Sequence, residues 1–174
     1  MILEILVYPD KRLKFKSKKV EKFDEKLHTL LDNMNYTMED RKGIGLAGIQ
    51  VGKAENIFIM NIPDKNGDQF PENLIEIINP EIISESKEMI TYEEGCLSLP
   101  EYYEDVKRSN RIEVKFQDRF GKTQEKVFED LTSIAFQHEL DHLRGKLFFE
   151  RISYMKRKKF EKDWKKKFKI VSIF

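Results

Sequence analysis

The sequence lacks the features that would place it outside a reducing compartment. Its 174 residues include one cysteine, Cys96, which cannot form an internal disulfide. Residues 1–9 have no basic start and are interrupted by Glu4, which is unlike a signal peptide. No apolar run approaches the roughly 20 residues that a membrane-spanning helix needs. We therefore expect a cytoplasmic protein with no membrane partner.

The chain also lacks an excess of either charge. Its 32 basic and 31 acidic residues give a net charge of +1, so global charge indicates no nucleic-acid partner, and we expect no DNA binding. Internal repeats, low-complexity tracts and Gly/Ser linkers are absent from the sequence. The length suits one hydrophobic core, which predicts a single domain over residues 1–174.

Hydrophobic periodicity predicts a mixture of helices and strands. Helices are expected over three segments: from Asp24 to about Glu39, from Asp130 or Thr132 to about Gly145, and from about Tyr154. Strands are expected over residues 57–60, 74–78, 112–116 and 122–128, with Asn79-Pro80 ending the second. The elements do not alternate regularly, which indicates an α+β fold.

Two of the three histidines lie four residues apart, in the segment Gln137-His138-Glu139-Leu140-Asp141-His142. On a helix this spacing brings both imidazoles to one face, where they can bind one metal ion. Glu139 is then placed to act as general base toward a water at the metal. The third histidine, His28, is interpreted as an ordinary surface or boundary residue. The segment predicts a metallohydrolase.

A catalytic metal site usually has three protein ligands, so one ligand remains to be found. Glu161 lies nineteen residues after His142, a spacing at which some peptidases with the His-Glu-x-x-His motif supply a carboxylate. It is surrounded by lysines, however, which fits exposed ion pairs better. Cys96 lies between a glycine and an expected strand end, where its side chain can turn into a cleft. We favour Cys96, although a buried small hydrophobe is the common fate of a free cysteine.

Three segments together resemble the signature motifs of peptide deformylases. They are GIGLAGIQ at 43–50, EGCLS at 94–98 and QHELDH at 137–142, in the family's order and approximate spacing. The resemblance extends from Tyr8-Pro9 to at least Phe149. It implies hydrolysis of the N-terminal formyl group from nascent polypeptides that begin with formyl-methionine. The implied fold has mixed or antiparallel sheets around a central His-Glu-x-x-His helix, an N-terminal helix and a basic C-terminal helix over residues 153–174.

The resemblance also implies a role for each residue that matches a motif. The metal ligands would be Cys96, His138 and His142, holding one divalent ion, usually ferrous iron, with zinc, nickel or cobalt able to replace it. Glu139 would be the general acid and base. The catalytic set is completed by two oxyanion donors, the side-chain amide of Gln50 and the backbone N–H of Leu97.

The implied substrate contacts form a larger group around the same site. An extended substrate would pair with the backbone near Gly45, and the methionine side chain would enter an apolar pocket. The residues implied to bind substrate are Ile44, Gly45, Leu46, Glu94, Gly95, Tyr103, Leu131, Ile134 and Ala135.

Two positions depart from the family pattern. Gly48 replaces the usual alanine and creates a G-x-G-x-x-G string, but a dinucleotide site would require a preceding strand and a following helix, and here a helix precedes. We expect Gly48 to loosen the loop slightly. Tyr103 stands where many members carry an arginine that contacts substrate. The substitution predicts an altered preference for the residues after methionine, unless Tyr102 and Tyr103 are simply half-buried loop residues.

The C-terminal segment is strongly basic. Residues 156–169 contain nine Lys or Arg and two acidic residues, a local charge of +7. A solvated helix face anchored by aromatic residues would explain the composition. A contact with ribosomal RNA phosphates would explain it equally well. The candidate anchors are Tyr154, Phe160, Trp164 and Phe168, of which only some can share one helical stripe.

Two other functions compete with deformylation. A zinc peptidase using His138, His142 and Glu161 would leave the first two signature segments unexplained. A non-catalytic RNA- or ribosome-binding protein with an old metal site would not require every residue that the chemistry needs, and all of them are present.

Overall fold

The computed structural model describes residues 1–171, with side chains as far as Lys167. Residues 172–174, at the end of the expected basic segment, lie outside the described residues. The helices and strands are α1 (Glu25–Asp40), α2 (Asp130–Leu143), α3 (Tyr154–Val171), β1 (Gly45–Ala47), β2 (Ile57–Met60), β3 (Ile75–Glu85), β4 (Met89–Cys96), β5 (Leu99–Ser109), β6 (Arg111–Gln117) and β7 (Thr123–Glu129). Short 3-10 helices cover Lys11–Lys14, Gly48–Val51, Pro71–Asn73 and Phe148–Arg151.

The strands form two antiparallel sheets. Five strands pair in the order β1-β2-β3-β6-β7, and β4 pairs with β5 as a separate long hairpin. Strand β2, between β1 and β3, is buried along its whole length, and its side chains alternate between the two faces of the sheet. Phe58 and Met60 belong to one core cluster, while Ile57 and Ile59 belong to another. The uninterrupted apolar run of β2 therefore reflects a sheet that is covered on both faces.

The two clusters are completed by α1 and α2, one on each face of the sheet. Asp24 caps α1 by accepting a hydrogen bond from the backbone N–H of Leu27 at 3.1 Å. On the opposite face, Phe136 of α2 packs edge-on against Phe58, with ring centroids 5.1 Å apart. The sheet thus holds α2 in a fixed position, with one side of the helix free to meet the β4-β5 hairpin.

A third cluster joins α3 to the hairpin and to the segment after α2. Phe160 and Trp164 are buried, whereas Tyr154 is 73% exposed, so only part of the aromatic set shares one stripe, as predicted. The Tyr102 ring of β5 lies 4.3 Å from the Phe160 ring, centroid to centroid. The side chain of Phe168 lies outside the described residues. In the part of the chain described, no helix is both long and apolar enough to cross a membrane.

The structure confirms the α+β class, the three helices and the β6-β7 hairpin, and it corrects the predicted end of the second strand. β3 does not end at Asn79-Pro80 but continues to Glu85 through a break in its pairing register with β6. Proline has no N–H to donate, and it falls in this irregular stretch. The Asn79 side chain exchanges hydrogen bonds with the backbone of Val20 at 2.9 Å, which supports the bend. The β4-β5 hairpin was not predicted.

The buried ring of Phe160 is expected to hold α3 in place. Phe160→Ala should lower the free energy of unfolding by about 3 kcal/mol, because the change removes a buried aromatic side chain and leaves a cavity. Tyr154→Ala, on the same helix but exposed, should change it by less than about 0.5 kcal/mol. Urea denaturation of both variants measures the difference, and equal effects would contradict the assigned packing.

Candidate metal centre and its cleft

Three potential metal ligands converge from two parts of the fold. Cys96 ends β4, and His138 and His142 lie one turn apart on α2. Their ligand atoms all lie within 4.8 Å of one another, and the Cys96 Sγ is 3.3 Å from the His142 Nε2. Glu161 is not part of this group, because it pairs with Arg157 and a neighbouring lysine on α3. The geometry therefore favours Cys96 over Glu161 as the third ligand.

The orientation of His138 fits a metal ligand. Its Nδ1 lies 2.7 Å from the Glu94 Oε1, which leaves Nε2 available to an ion. A carboxylate behind a ligating imidazole is the usual arrangement in metal sites, since it fixes the tautomer and the ring orientation. One thiolate and two imidazoles also form the three-ligand set of a catalytic centre with an open fourth position. The residues present thus fit a transition-metal ion.

A buried network of charged side chains lies behind the three candidate ligands and holds Glu94 in place. Arg108 of β5 donates two hydrogen bonds to Glu94, at 2.6 and 2.9 Å, and a third to Asp141 at 3.0 Å. Arg151 also donates to Asp141, at 2.9 Å. Burial alone would raise the pKa of Glu94, but hydrogen bonds from His138 and Arg108 outweigh it and lower the pKa, so that the carboxylate stays ionised.

Sequence reasoning missed the roles of Arg108, Asp141 and Arg151. Asp141 lies within the QHELDH segment, but nothing local indicates that it faces an arginine from a strand 33 residues earlier. Burial would raise the pKa of Asp141, yet the hydrogen bond from Arg151 and the charge of Arg108 lower it. These partners can be identified only once it is known that β4 pairs with β5 and that the hairpin packs against α2.

Glu139 is buried beside the ligands and lines the adjoining cleft. Burial raises the pKa of Glu139 to about 7, which suits a group that accepts and then donates a proton near neutral pH. Its Oε2 is buried and has no hydrogen-bond partner among the described protein groups. A Cβ on Gly45 would lie 2.4 Å from the Oε1, so the backbone of β1 can pass this carboxylate only at a glycine.

The Gln50 amide is oriented toward the metal ligands. Its Oε1 accepts a hydrogen bond from the Ala47 backbone N–H at 2.9 Å, so its Nε2 must point the other way. That nitrogen lies 3.4 Å from the Cys96 Sγ and 3.1 Å from the Ser98 hydroxyl. Leu97 lies beside it, in the turn that joins β4 to β5.

A cleft of about 690 Å³ opens over these groups. Residues from β1, the β4-β5 hairpin and α2 form its walls. The expected substrate-binding residues that line it are Ile44, Gly45, Glu94, Gly95, Tyr103, Leu131, Ile134 and Ala135. The side chain of Leu46 instead lies fully buried in the core on the α1 side, so only its backbone is available to a ligand. β1 is an edge strand of the sheet, which leaves one of its sides open for pairing with an extended peptide.

The cleft also contains charged and aromatic residues that the sequence did not indicate. Arg41 and Lys42, after α1, stand on one side, and Tyr92, Glu93 and Glu101 of the hairpin also form part of the lining. Their signal in the sequence is weak, since each is an exposed polar or aromatic residue in a charged segment.

The two positions that depart from the family pattern are both closely packed. A Cβ on Gly48 would lie 2.9 Å from the Ile57 Cγ1 and from the Lys53 backbone oxygen, so the glycine serves a tight approach. A Cβ on Gly95 would lie 2.6 Å from the Tyr103 ring, which packs across that glycine while the residue stays 63% exposed. The G-x-G-x-x-G string runs through β1 into a four-residue 3-10 helix, which is not a dinucleotide-binding arrangement.

Comparison with known proteins gives the family. Residues 2–158 match the sequence profile of the family described as polypeptide deformylase. The chain is 52% identical to the peptide deformylase of Campylobacter jejuni over 167 residues, which are 96% of this chain and 95% of the relative. It is 49% identical to that of Wolinella succinogenes over 166 residues, 95% of this chain and 97% of the relative.

Solved structures give the same result. The crystal structure of a peptide deformylase from Legionella pneumophila superposes with a TM-score of 0.87 at 40% identity, covering 99% of this chain and 98% of the other. A Met-Ala-Ser-bound peptide deformylase from Acinetobacter baumannii gives 0.82 at 34% identity, covering 87% and 99%. With the profile match and the curated relatives, these similarities show that the chain belongs to the polypeptide deformylase family.

Proposed function

We propose that Cys96, His138 and His142 bind the metal ion on which deformylation by this protein depends. The family removes the N-terminal formyl group from nascent polypeptides and is metal-dependent. The observation that carries the assignment is the convergence of one thiol and two imidazoles at the base of a cleft that Glu139 also lines. Residues 1–174 are proposed to act as one deformylase domain, of which 153–174 is the basic C-terminal part.

The metal is proposed to be ferrous iron in the cell. A thiolate with two imidazoles also suits zinc, and nickel or cobalt can occupy such a site, so the ligand set narrows the choice without completing it. When bound, the ion supplies a Lewis acid that acidifies water and polarises the formyl group. An oxidisable thiolate at Cys96 would make the iron form sensitive to air.

The protein groups around the ion account for the remaining steps. The N–H₂ group of Gln50 and the backbone N–H of Leu97 donate hydrogen bonds to the formyl oxygen as it gains negative charge, and each such donor is worth about 3 kcal/mol. Glu139 takes a proton from the attacking water and gives it to the leaving amine. The water oxygen joins the formyl carbon, the C–N bond breaks, and formate and a free amino terminus are released.

The edge of β1 and the walls of the cleft are proposed to place the peptide. The backbone near Gly45 pairs with the extended substrate, because the edge of β1 is open and β1 passes directly beside Glu139. The methionine side chain enters the apolar part of the cleft, where Ile44, Ile134 and Ala135 line the wall. Leu131, Glu94, Gly95 and Leu46 complete the proposed substrate-binding set, the last through its backbone only.

Substitution of the proposed ligands and base separates deformylation from peptidase activity. Cys96→Ala should abolish both metal binding and formate release, because it removes a ligand. Glu139→Ala should abolish formate release while the metal content stays near that of wild type. Glu161→Gln, the control on α3, should leave both nearly unchanged. Formate release from formyl-Met-Ala-Ser and elemental analysis are the measurements. Loss of metal in Glu161→Gln, with retention in Cys96→Ala, would instead indicate a zinc peptidase.

The carboxylate behind His138 is expected to strengthen metal binding. Glu94→Gln should weaken metal affinity about 10- to 100-fold, because the imidazole loses its ionised partner. Glu93→Gln removes the same charge from the neighbouring exposed residue and should leave affinity within about twofold. Competition with a chelator measures both variants. If the two weaken binding equally, the hydrogen bond from His138 does not act as described.

Tyr103 is proposed to contact the substrate after its methionine. The ring is exposed at the cleft and is held over Gly95, so truncation should change contacts downstream of the first residue. Tyr103→Ala should change the ratio of kcat/KM values for formyl-Met peptides that differ in their second residue by about threefold or more, roughly 0.7 kcal/mol. Tyr36→Ala, on α1, is the control. Unchanged ratios in Tyr103→Ala would remove the residue from selectivity.

The basic face of α3 is proposed to contact ribosomal RNA. Lys156 and Lys167 pair with Glu104 and Glu101 of β5, whereas Lys159, Lys162 and Lys166 have no carboxylate within 4 Å among the described residues. The last three recur at helical spacing and are exposed, so they form one cationic stripe.

Replacing the charges tests this contact without removing the helix. Truncation after Arg151 would also strip Phe160 and Trp164 from their cluster. The triple variant Lys159→Gln/Lys162→Gln/Lys166→Gln should weaken salt-sensitive ribosome binding at least tenfold in a co-sedimentation assay while activity on short peptides is retained. The triple variant Lys115→Gln/Lys122→Gln/Lys126→Gln, on β6, β7 and the turn between them, is the control. Equal binding by both variants and wild type would exclude α3 from the contact.

A further inference from the structure

A second, smaller pocket lies on the far side of the Glu94–Arg108 ion pair from the cleft. Glu94 lines the cleft and Arg108 lines the second pocket, so their ion pair forms part of the wall between the two spaces. The second pocket has a volume of about 110 Å³, enough for several waters or one small polyatomic ion. Its floor includes Arg108, Ser109 and Asp141, all of which are buried.

The charges around this pocket are not balanced. Four cationic side chains line it, namely Lys107, Arg108, Arg144 and Arg151, against the carboxylates of Glu85 and Asp141. Arg108 is also paired with the Glu94 carboxylate, so the excess is one positive charge. The buried charges of Arg108 and Asp141 belong to the network below the metal ligands, so most of the uncompensated charge lies at the mouth of the pocket.

Several hydrogen-bond donors at this pocket are unused. Among the described residues, neither Lys107 nor Arg144 has a carboxylate within 4 Å. Arg151 bonds Asp141 through Nε and Nη2, which leaves its Nη1 without a partner in the same part of the chain. Glu85 accepts a long hydrogen bond from the Ser109 hydroxyl, at 3.5 Å, and its charge contributes to raising the pKa of Arg151, but it has no cation within 4 Å among the described residues. Lys107 and Arg144 thus line the pocket without an ion-pair partner among the described residues, and Arg151 keeps one donor that no protein group accepts there.

We propose that this pocket binds a phosphate dianion, either hydrogenphosphate or the terminal group of a phosphate monoester. Lys107, Arg144 and Arg151 offer a dianion three cationic groups, and tetrahedral oxygens can accept from guanidinium and ammonium groups at once. The pocket admits the phosphate group alone, so an ester substituent would extend outward past Lys107 and Arg144. The site is separate from the metal centre and does not depend on the assignment of the reaction.

A phosphate bound in this pocket is connected to the proposed metal ligands through the buried ion pairs. The phosphate contacts Arg151, which holds Asp141, and Asp141 shares Arg108 with the carboxylate behind His138. A bound dianion therefore stabilises the folded protein and holds Arg151 in place against Asp141. The expected effect is a melting temperature that rises with phosphate concentration at constant ionic strength.

Nuclear magnetic resonance of the zinc-loaded full chain tests the proposal. Titration with inorganic phosphate should shift the backbone amide signals of Ser109, Arg144 and Arg151 in a saturable way. Phenyl phosphate tests the monoester source, and dimethyl phosphate, a monoanion, should bind at least tenfold more weakly than either. Shifts confined to the surroundings of Glu139 and Leu97 would mean that phosphate meets only the metal, and would overturn the proposal.

Paired charge variants complete the test. Lys107→Gln/Arg144→Gln should weaken phosphate binding at least tenfold and abolish the phosphate-dependent rise in melting temperature. Lys122→Gln/Lys126→Gln, with the same change in net charge on the distant β6-β7 hairpin, should bind within twofold of wild type. Equal weakening in both pairs, or no saturable binding to wild type by phosphate or phenyl phosphate, would overturn the assignment. If the Lys107→Gln/Arg144→Gln variant fails to fold, Arg144→Lys replaces it in the phosphate titration, and the amide shifts of the wild-type protein provide the second measurement.

Discussion

The hydrogen bond between Glu94 and His138 is the interaction on which the rest of the site depends. It joins the β4-β5 hairpin to α2, the two elements that carry the proposed metal ligands. Neither element holds a complete ligand set alone, because the thiol ends a strand and both imidazoles lie on the helix. The hydrogen bonds from His138 and Arg108 keep Glu94 ionised, since a buried carboxylate would otherwise take up a proton. The buried charges thus fix a geometry that packing alone would leave loose.

The sheet contributes a second constraint, the close approach of β1 to Glu139. α2 rests on the sheet through Phe136, and the Gly45 backbone passes within contact distance of the carboxylate. Glu139, the proposed general base, is therefore buried against a strand edge that is open to pairing with an extended peptide. Burial raises the pKa of this carboxyl to about 7, so the same arrangement supports both proposals, the pairing of the substrate with β1 and a base suited to neutral pH.

Local patterns in the sequence predicted the elements whose chemistry is local. The histidine spacing on α2 and the cap at Asp24 need only helix geometry, and the structure agrees with both. The hairpin was missed because its strands are rich in charged residues whose burial depends on partners far along the chain. Arg108 is the clearest example. From the sequence alone an arginine in such a strand is expected to be exposed, and only the fold shows that it is buried against Glu94 and Asp141.

The end of β3 was mispredicted for the same reason, namely contacts with residues far along the chain. Judged locally, Asn79-Pro80 predicts the end of a strand. In the structure the Asn79 side chain donates hydrogen bonds to Val20 and Gln117, and these contacts support the continuation of the strand past the proline. Tertiary contacts therefore override a local preference. The signature motifs predicted that Cys96, His138 and His142 would lie together, and in the structure they do, whereas the charged network behind them could not be predicted without the pairing of the hairpin.

We propose that removal of the formyl group depends on a thiolate-ligated metal ion in this cleft. The direct test is formate release from formyl-Met-Ala-Ser by protein purified without oxygen, with its metal content measured before and after exposure to air. We expect one equivalent of iron per chain, formate release with the peptide bonds intact, and loss of activity in air. Full metal content with no formate release, or with cleavage of a peptide bond, would contradict it.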